Sequence, residues 1–164
     1  MTMGNADRPR LSLNVHAGAI AALAVLGLGV SGYLLYEHYC APIACLGTGC
    51  AVVDASPYSE IFGVPLSALG LLSYAAILGL SLGVLRLRDR GPRAWPLFLG
   101  IFGVALTGVL FSAYLTYVEL AILRAVCSWC VTSAILIAAV FAISLHALRT
   151  TPAPAPGPGG METR

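Results

Sequence analysis

Residues 127–148 read CSWCVTSAILIAAVFAISLHAL, a run without Asp, Glu, Lys or Arg that contains two cysteines in its first four positions. A helix needs about 20 mainly apolar residues to cross a bilayer. Further runs of this kind cover about residues 16–36, 65–85 and 95–118. The sequence therefore predicts an all-α integral membrane protein in which four transmembrane helices form a bundle.

The composition excludes a water-soluble globule. Of the 164 residues, 59% are hydrophobic and only 10% are charged, whereas soluble domains carry about 25% charged residues. The mean hydropathy of +0.88 agrees with this assignment. The formal net charge is only +2, with arginine as the sole basic residue beside histidine, so no basic patch supports nucleic-acid binding. We expect four spans with short loops and no second soluble domain.

The arginines predict the orientation in the membrane. Eight of the nine lie before the first span, between the second and third, or after the fourth: Arg8, Arg10, Arg86, Arg88, Arg90, Arg93, Arg149 and Arg164. Cytoplasmic loops carry such an excess of basic residues, so we expect both termini inside. The predicted organisation is a cytoplasmic segment over 1–15, a transmembrane domain over 16–149 with an outer loop over 37–64, and a disordered Pro- and Gly-rich cytoplasmic tail over 150–164.

All five cysteines fall on the predicted outer side. An oxidising compartment lets them form disulfides, and the odd number predicts two pairs with one left over. Cys127 and Cys130 share one face of a helix N-terminus, where partial positive charge favours the reactive thiolate. The loop spacing is ambiguous, since Cys45 is equally far in sequence from Cys40 and Cys50. The glycines between Cys45 and Cys50 favour that pair and leave Cys40 over.

Two cysteine pairs on one face of a bundle suggest a relay of electrons. The sequence has no GxGxxG or GxxxxGK[ST] motif, and its three histidines are scattered. We therefore expect the acceptor to be a lipid-soluble quinone, which takes two electrons as a dithiol gives two. Two alternatives stay open. One is a metal-binding or transport protein with zinc held by four outer thiolates, and the other is a structural protein with fixed disulfides.

The segment after the loop cysteines resembles a known family. Residues 50–66 read CAVVDASPYSEIFGVPL. They place a Ser-Pro-Tyr turn and an F-G-x-P motif between the loop pair and the second span, and a CxxC then opens the fourth span. In this order of motifs, residues 31–144 resemble the vitamin K epoxide reductase family, and the chain looks like a bacterial single-domain homologue.

The resemblance implies a role for each cysteine pair. Cys45 and Cys50 match the family's shuttle pair, and Cys127 and Cys130 match its active-site pair. Family behaviour implies that Cys50 exchanges with Cys127 and that Cys130 is the thiolate nearest the quinone. Cys45 is then the residue that meets the partner protein. Cys40 is not one of the usual four cysteines.

The resemblance also implies a quinone site, occupied by menaquinone, ubiquinone or a related molecule. Ser56 matches the family's serine after the loop. We expect it to cap a short amphipathic helix, SPYSEIF over residues 56–62, to contact the quinone, or both. Tyr58, Phe62 and Trp129 could form an apolar wall around the quinone ring, although aromatic residues are also common at a membrane interface.

These features predict a membrane thiol–disulfide oxidoreductase that forms disulfides in exported proteins. Its active site would face the extracytoplasmic side of the bacterial inner membrane. A thioredoxin-fold thiol oxidase on a separate chain would deliver the electrons, since the sequence ends in a polar tail rather than a thioredoxin-like domain. Ala134 stands where the vertebrate enzymes carry a tyrosine near their substrate, which weakens the case for reduction of vitamin K epoxide by this chain.

Overall fold

A computed structural model describes residues 7–40, 49–87 and 91–150, without the side chains of 7–12 and 91–93. The predicted tail after the fourth span and part of the predicted N-terminal segment lie outside the described residues. The side chains of Arg88, Arg90 and Arg93, between the second and third spans, are also outside the described part of the chain.

Four of the described helices are long and apolar enough to cross a membrane. In chain order the elements are α1 (Asp7–Cys40), α2 (Gly49–Asp54), the strands β1 (Glu60–Ile61) and β2 (Val64–Pro65), α3 (Leu66–Arg86), α4 (Gly91–Tyr117), a π-helical turn (Val118–Leu123) and α5 (Ser128–Thr150). The long helices α1, α3, α4 and α5 contain the four predicted apolar runs. The predicted all-α membrane bundle is therefore confirmed.

The bundle is held together by one buried stripe on each long helix. Helix α1 packs against α3 and α5, and α4 packs against the same two helices. In α4 the buried stripe contains Phe98, Ile101 and Ala105, all fully shielded from solvent. Residues three and four positions apart lie on one face of a helix, so this spacing turns a single face of α4 toward the core.

The other faces of the long helices are apolar and exposed. Only 17% to 28% of the apolar window of each span is buried inside the bundle. Leu72, Leu110 and Ile135 are each more than 60% exposed, at 69%, 64% and 64%. Contiguous apolar surface of this kind is rare on soluble monomers. The chain is a multi-pass membrane protein whose outer surface suits lipid.

A glycine allows the closest approach between α1 and α3. A Cβ atom at Gly27 would overlap the ring of Tyr74, so the ring lies directly against the backbone of α1. Tyr74 is 2% exposed, and its hydroxyl donates to the carbonyl oxygen of Ser133 at 3.0 Å. One aromatic side chain therefore joins α1, α3 and α5, as small residues permit in membrane bundles.

The described residues 49–65, which precede α3, form a cap over one end of the bundle. After α2, the N–H of Ser59 donates to the carbonyl oxygen of Ser56 at 3.1 Å, which closes a turn. Strands β1 and β2 then pair with Ile61 opposite Val64. Phe62 and Gly63 connect the strands at φ values of 53° and 77°. Two-residue hairpins favour such left-handed residues.

The predicted short helix over residues 56–62 is therefore wrong, and Ser56 does not cap a helix. Its hydroxyl instead donates to the carbonyl oxygen of Val53 in α2, at 2.6 Å. The reversal at Phe62 and Gly63 leads the chain straight from β2 into α3, which a helix over this segment would not do.

A histidine at the end of α1 contacts two carboxylates of the cap. The Nδ1 atom of His38 lies 2.9 Å from Oδ1 of Asp54, and its Nε2 atom lies 3.4 Å from Oε1 of Glu60. Asp54 ends α2 and Glu60 begins β1. One imidazole ring therefore connects α1 with both parts of the cap.

We expect Gly27→Ala to destabilise the bundle, because the added methyl group forces the Tyr74 ring away from α1. Overpacking of this kind costs about 1–3 kcal/mol. The matched control is Gly29→Ala, since a Cβ at Gly29 meets nothing within 4 Å. Thermal unfolding in detergent should show a lower midpoint for Gly27→Ala alone. Equal midpoints for the two variants would contradict the close approach.

Candidate functional site

The two cysteines of the CxxC motif stand at the start of α5. Helix α5 begins at Ser128, so Cys127 is its N-cap residue and Cys130 its third residue. The Sγ atom of Cys127 accepts the backbone N–H of Cys130 at 3.3 Å. A serine or aspartate oxygen fills this role at many helix N-termini. The sulfur of Cys127 is thus fixed by the hydrogen bonding of the helix that follows it.

A buried carboxylate completes the cap. Oε2 of Glu119 accepts the backbone N–H of Cys127 at 3.2 Å, and Glu119 is 4% exposed. In a capping box a Glu within the helix reaches back to this N–H. Here the carboxylate comes from the π-helical turn at the end of α4. The CxxC motif is therefore held by two successive membrane helices.

The cap favours the ionised form of Cys127. A hydrogen bond from the Cys130 thiol, supported by the backbone N–H groups of Cys130 and Trp129, lowers the pKa of the Cys127 thiol to about 7. Burial and the negative charge of Glu119 act in the opposite direction. Because the thiolate is the species that attacks disulfides, Cys127 is prepared for thiol–disulfide exchange near neutral pH.

Cys50 lies beside the CxxC motif. It is 2% exposed, it belongs to a disulfide, and its Sγ atom is 3.8 Å from the Oγ atom of Ser128. The preceding residue permits this approach, since a Cβ atom at Gly49 would overlap the carbonyl oxygen of Val126. The missing side chain at Gly49 brings the start of α2 against the segment that leads into α5.

The remaining loop cysteines have different positions. Cys40 is a free, exposed thiol at the end of α1, and Cys127 and Cys130 are also free thiols. Cys40 was expected to be the unpaired cysteine, and a free thiol agrees with that expectation. Cys45, the predicted partner of Cys50 and the predicted contact for a partner protein, lies outside the described residues.

The residues predicted to contact quinone differ in exposure. Ser56 is buried at the end of the α2 segment, while Tyr58 is 38% exposed and Phe62 is fully exposed at the hairpin tip. The ring of Trp129 is half-buried and packs 5.1 Å from the ring of Tyr33, measured between centroids. Trp129 is thus partly packed against the bundle, whereas Phe62 is not. The contact of these residues with a quinone stays a prediction.

The sequence analysis missed several residues that shape the site. Glu119 and Gly49 contact the segments that hold the cysteines. The ring of Tyr33 packs against Trp129, and its hydroxyl donates a hydrogen bond to the carboxylate of Glu37. The sequence contains a feature that could have identified Glu119 as a candidate site residue. Glu119 is a lone carboxylate at the end of an apolar run, and ionisable residues inside membrane helices mark functional sites. Gly49 has no such feature, because its role depends on a contact distant in sequence.

The alternative of a zinc site at four thiolates receives no support from the described part of the chain. Among those residues, no group of three or more His, Cys, Asp or Glu side chains is arranged to hold a metal ion. The four-thiolate set includes Cys45, which that description does not cover. A zinc site at the four thiolates therefore stays an alternative hypothesis that no observation favours.

Comparison with known families gives one match. A family model described as the vitamin K epoxide reductase family covers residues 19–145, which is most of the chain and includes all four long helices, the cap and the CxxC motif. Members of this family are membrane oxidoreductases that generally act with thioredoxin-like partners and quinones.

We expect alkylation of Cys127 to accelerate as the pH rises through about 7, because its lowered pKa increases the thiolate fraction over that range. Above about pH 8 the rate should level off, and below about pH 6 it should fall tenfold for each unit. Iodoacetamide labelling with peptide mass spectrometry measures this midpoint. Restricted access of the reagent lowers the rate at every pH and therefore does not move the midpoint.

Cys130→Ala is the control for this measurement. It removes the thiol hydrogen bond and should move the Cys127 midpoint to higher pH. A midpoint that is the same in the wild type, in Cys130→Ala and in the denatured chain would show that the helix cap does not activate Cys127.

We expect Gly49→Ala to slow disulfide formation between Cys50 and Cys127, because the added methyl group pushes α2 away from Val126. A displacement of about 1 Å can cost a reaction about 10²-fold, so at least a tenfold lower rate is expected. The assay uses a Cys45→Ser, Cys130→Ser background, in which Cys50 and Cys127 can bond only to each other or to Cys40. Val52→Ala, at an exposed position of α2, should keep the background rate.

Proposed function

Because the chain belongs to the vitamin K epoxide reductase family and is a membrane oxidoreductase, we propose that it oxidises the dithiol of a separate thioredoxin-fold protein. The electrons pass through the two cysteine pairs to a membrane quinone. The reaction takes place on the extracytoplasmic face of the bacterial inner membrane and supports disulfide formation in exported proteins.

The proposed relay has two exchange steps. The partner dithiol reduces the Cys45–Cys50 disulfide and becomes a disulfide itself. The thiolate of Cys50 then attacks Cys127 of the oxidised Cys127–Cys130 pair, and Cys130 leaves as a thiolate. Cys45 attacks Cys50, which restores the loop disulfide and frees Cys127. The reduced CxxC pair holds two electrons, and a quinone that accepts them with two protons becomes a quinol.

The position of Cys50 is the observation that carries this proposal. Its sulfur lies 3.8 Å from Ser128, inside the CxxC motif, although the two residues are 78 positions apart in sequence. A disulfide that serves only stability has no need to contact a residue that lies between the two cysteines of a second pair. The lowered pKa of Cys127 supports exchange at this contact.

The charges of the described residues support the proposed orientation. Arg86 ends α3 and Arg149 lies in the last turn of α5, both at the end of the bundle opposite the cap. At that same end the rings of His16 and His146 are 5.3 Å apart. The cap carries the carboxylates of Asp54 and Glu60. By the positive-inside rule, the cap and the CxxC motif would face outward.

The test is quinone reduction by the purified protein in lipid nanodiscs, driven by a reduced thioredoxin-fold protein and followed by the absorbance of a short-chain quinone. We expect catalytic turnover in the wild type and its loss in Cys130→Ser and Cys50→Ser. Cys40→Ser is the matched control and should turn over at the wild-type rate, since Cys40 is exposed and free.

Two results would contradict the proposal. One is a folded wild-type protein that reduces neither menaquinone nor ubiquinone analogues with any reduced partner. The other is turnover that survives Cys130→Ser. Thiols found with bound zinc would favour the metal alternative, and disulfides that never exchange would favour a structural protein.

A further inference from the structure

We infer that Glu119 is the proton acceptor for Cys130 when the CxxC pair is oxidised to a disulfide. The inference deepens the proposed relay and rests on it for its biological setting. The chemistry of the step itself belongs to the cysteine pair and is independent of the final electron acceptor.

The need for a proton acceptor follows from the states of the two thiols. Oxidation of a dithiol to a disulfide releases two electrons and two protons. The Cys127 thiol gives up its proton near neutral pH. The second proton sits on Cys130, whose thiol donates to Cys127 and is half-buried. That proton has to leave before the sulfur–sulfur bond can close.

Glu119 is placed to take this proton. Its carboxylate is 4% exposed and is fixed by the N–H of Cys127 at 3.2 Å. The backbone N–H of Cys130 donates to Sγ of Cys127 at 3.3 Å, which holds Cys130 in the same helix cap as Glu119. The carboxylate acts on the Cys130 thiol from this position, as a negative charge and as a hydrogen-bond partner. General bases act within hydrogen-bond reach and contribute about 10²–10⁴-fold to rates.

The π-helical turn explains why the carboxylate reaches this point. Val118 and Glu119 are consecutive, and both are buried, while Tyr117 and Leu120 on either side are more than half exposed. Both buried residues therefore stand at the start of the π-helical turn, with their side chains directed into the bundle. π-Helical turns are rare and occur frequently at functional sites.

The ionisable groups of α2 near the turn are engaged elsewhere, and Arg124, which directly follows the turn, is exposed to solvent. From α2, which packs against the π-helical turn, Cys50 is in a disulfide and Asp54 is paired with His38. From α5, the facing groups are Cys127 and Cys130 themselves. Within the described part of the chain, Glu119 is the carboxylate whose charge acts on both cysteines of the CxxC motif.

The proposed step balances as follows. The Cys127 thiolate first attacks a two-electron oxidant, here the sulfur of a disulfide or a thiosulfonate, and gives a mixed disulfide in which Sγ of Cys127 carries a thiolate leaving group. The Glu119 carboxylate then removes the proton of Cys130. The resulting Cys130 thiolate attacks Sγ of Cys127, the Cys127–Cys130 bond forms, and the leaving group departs with the electron pair. Protonated Glu119 then returns its proton to the departing anion or to water.

The experiment isolates this step from both quinone and partner. Methyl methanethiosulfonate, a small apolar reagent, converts the Cys127 thiolate into a methyl mixed disulfide and releases methanesulfinate. Cys130 then displaces methanethiol and closes the CxxC disulfide. Quenched-flow mass spectrometry of the full-length protein follows the mixed disulfide. Cys130→Ser traps it completely, and Cys40 measures reagent exposure in the same molecules.

Glu119→Gln is the decisive variant. The amide oxygen still accepts the N–H of Cys127, so the helix cap is kept, but the group no longer accepts a proton. We expect the mixed disulfide to persist at least tenfold longer at pH 7, and higher pH to restore the rate as hydroxide replaces the carboxylate.

Closure at the wild-type rate and with the wild-type pH profile in Glu119→Gln would overturn the inference and leave Glu119 a capping residue. If that variant does not fold, infrared difference spectra of the wild type decide. Loss of the Cys130 S–H band should coincide with gain of a protonated carboxyl band, and loss without that gain would overturn the inference. Failure of quinone turnover in the wild type would instead contradict the proposed function.

Discussion

The buried start of α5 sets the constraint on which the rest of the site depends. The first N–H groups of any helix have no partner within the helix, and Cys127, at 3% exposure, is shielded from the water that could otherwise bond them. The sulfur of Cys127 and the carboxylate of Glu119 are the acceptors that the protein supplies. The redox pair and its neighbouring carboxylate are therefore parts of one helix cap. A change in either alters both the local fold and the thiol chemistry.

The contact with the loop cysteine follows from the same crowding. The segment before α5 has no room for a side chain at Gly49, so α2 sits directly against it and carries Cys50 to Ser128. The cap is kept in this position by His38, which joins the end of α1 to Asp54 and Glu60. The distance between the two cysteine pairs is thus controlled by residues that carry no redox chemistry themselves.

The sequence predicts the spans well because lipid imposes their length. Any apolar run that must cross a bilayer needs about 20 residues, whatever its neighbours, and four such runs are plain in the sequence. The position of the CxxC motif at the start of the fourth span follows from the same runs. Both features are local, and so they can be recognised without knowledge of the tertiary structure.

The cap could not be predicted in the same way. A serine followed by proline is a common helix start, and the segment 56–62 meets that local rule. The observed hairpin depends on the left-handed residues Phe62 and Gly63 and on the distant contact between Glu60 and His38. Glu119 is recognisable in the sequence as a lone carboxylate at the end of an apolar run, but its capping role is not, since its partner is a backbone N–H in the next helix.

The charge of Glu119 indicates why a carboxylate stands at this position. As a cap for α5, a neutral amide or hydroxyl oxygen would also accept the N–H of Cys127, although a carboxylate accepts it more strongly. The carboxylate acts against the thiolate, because its negative charge raises the pKa of Cys127 and opposes the hydrogen bonds that lower it. A charge kept beside a thiolate in spite of this effect points to a chemical role beside the structural one, and accepting the proton of Cys130 is the role that we infer for it.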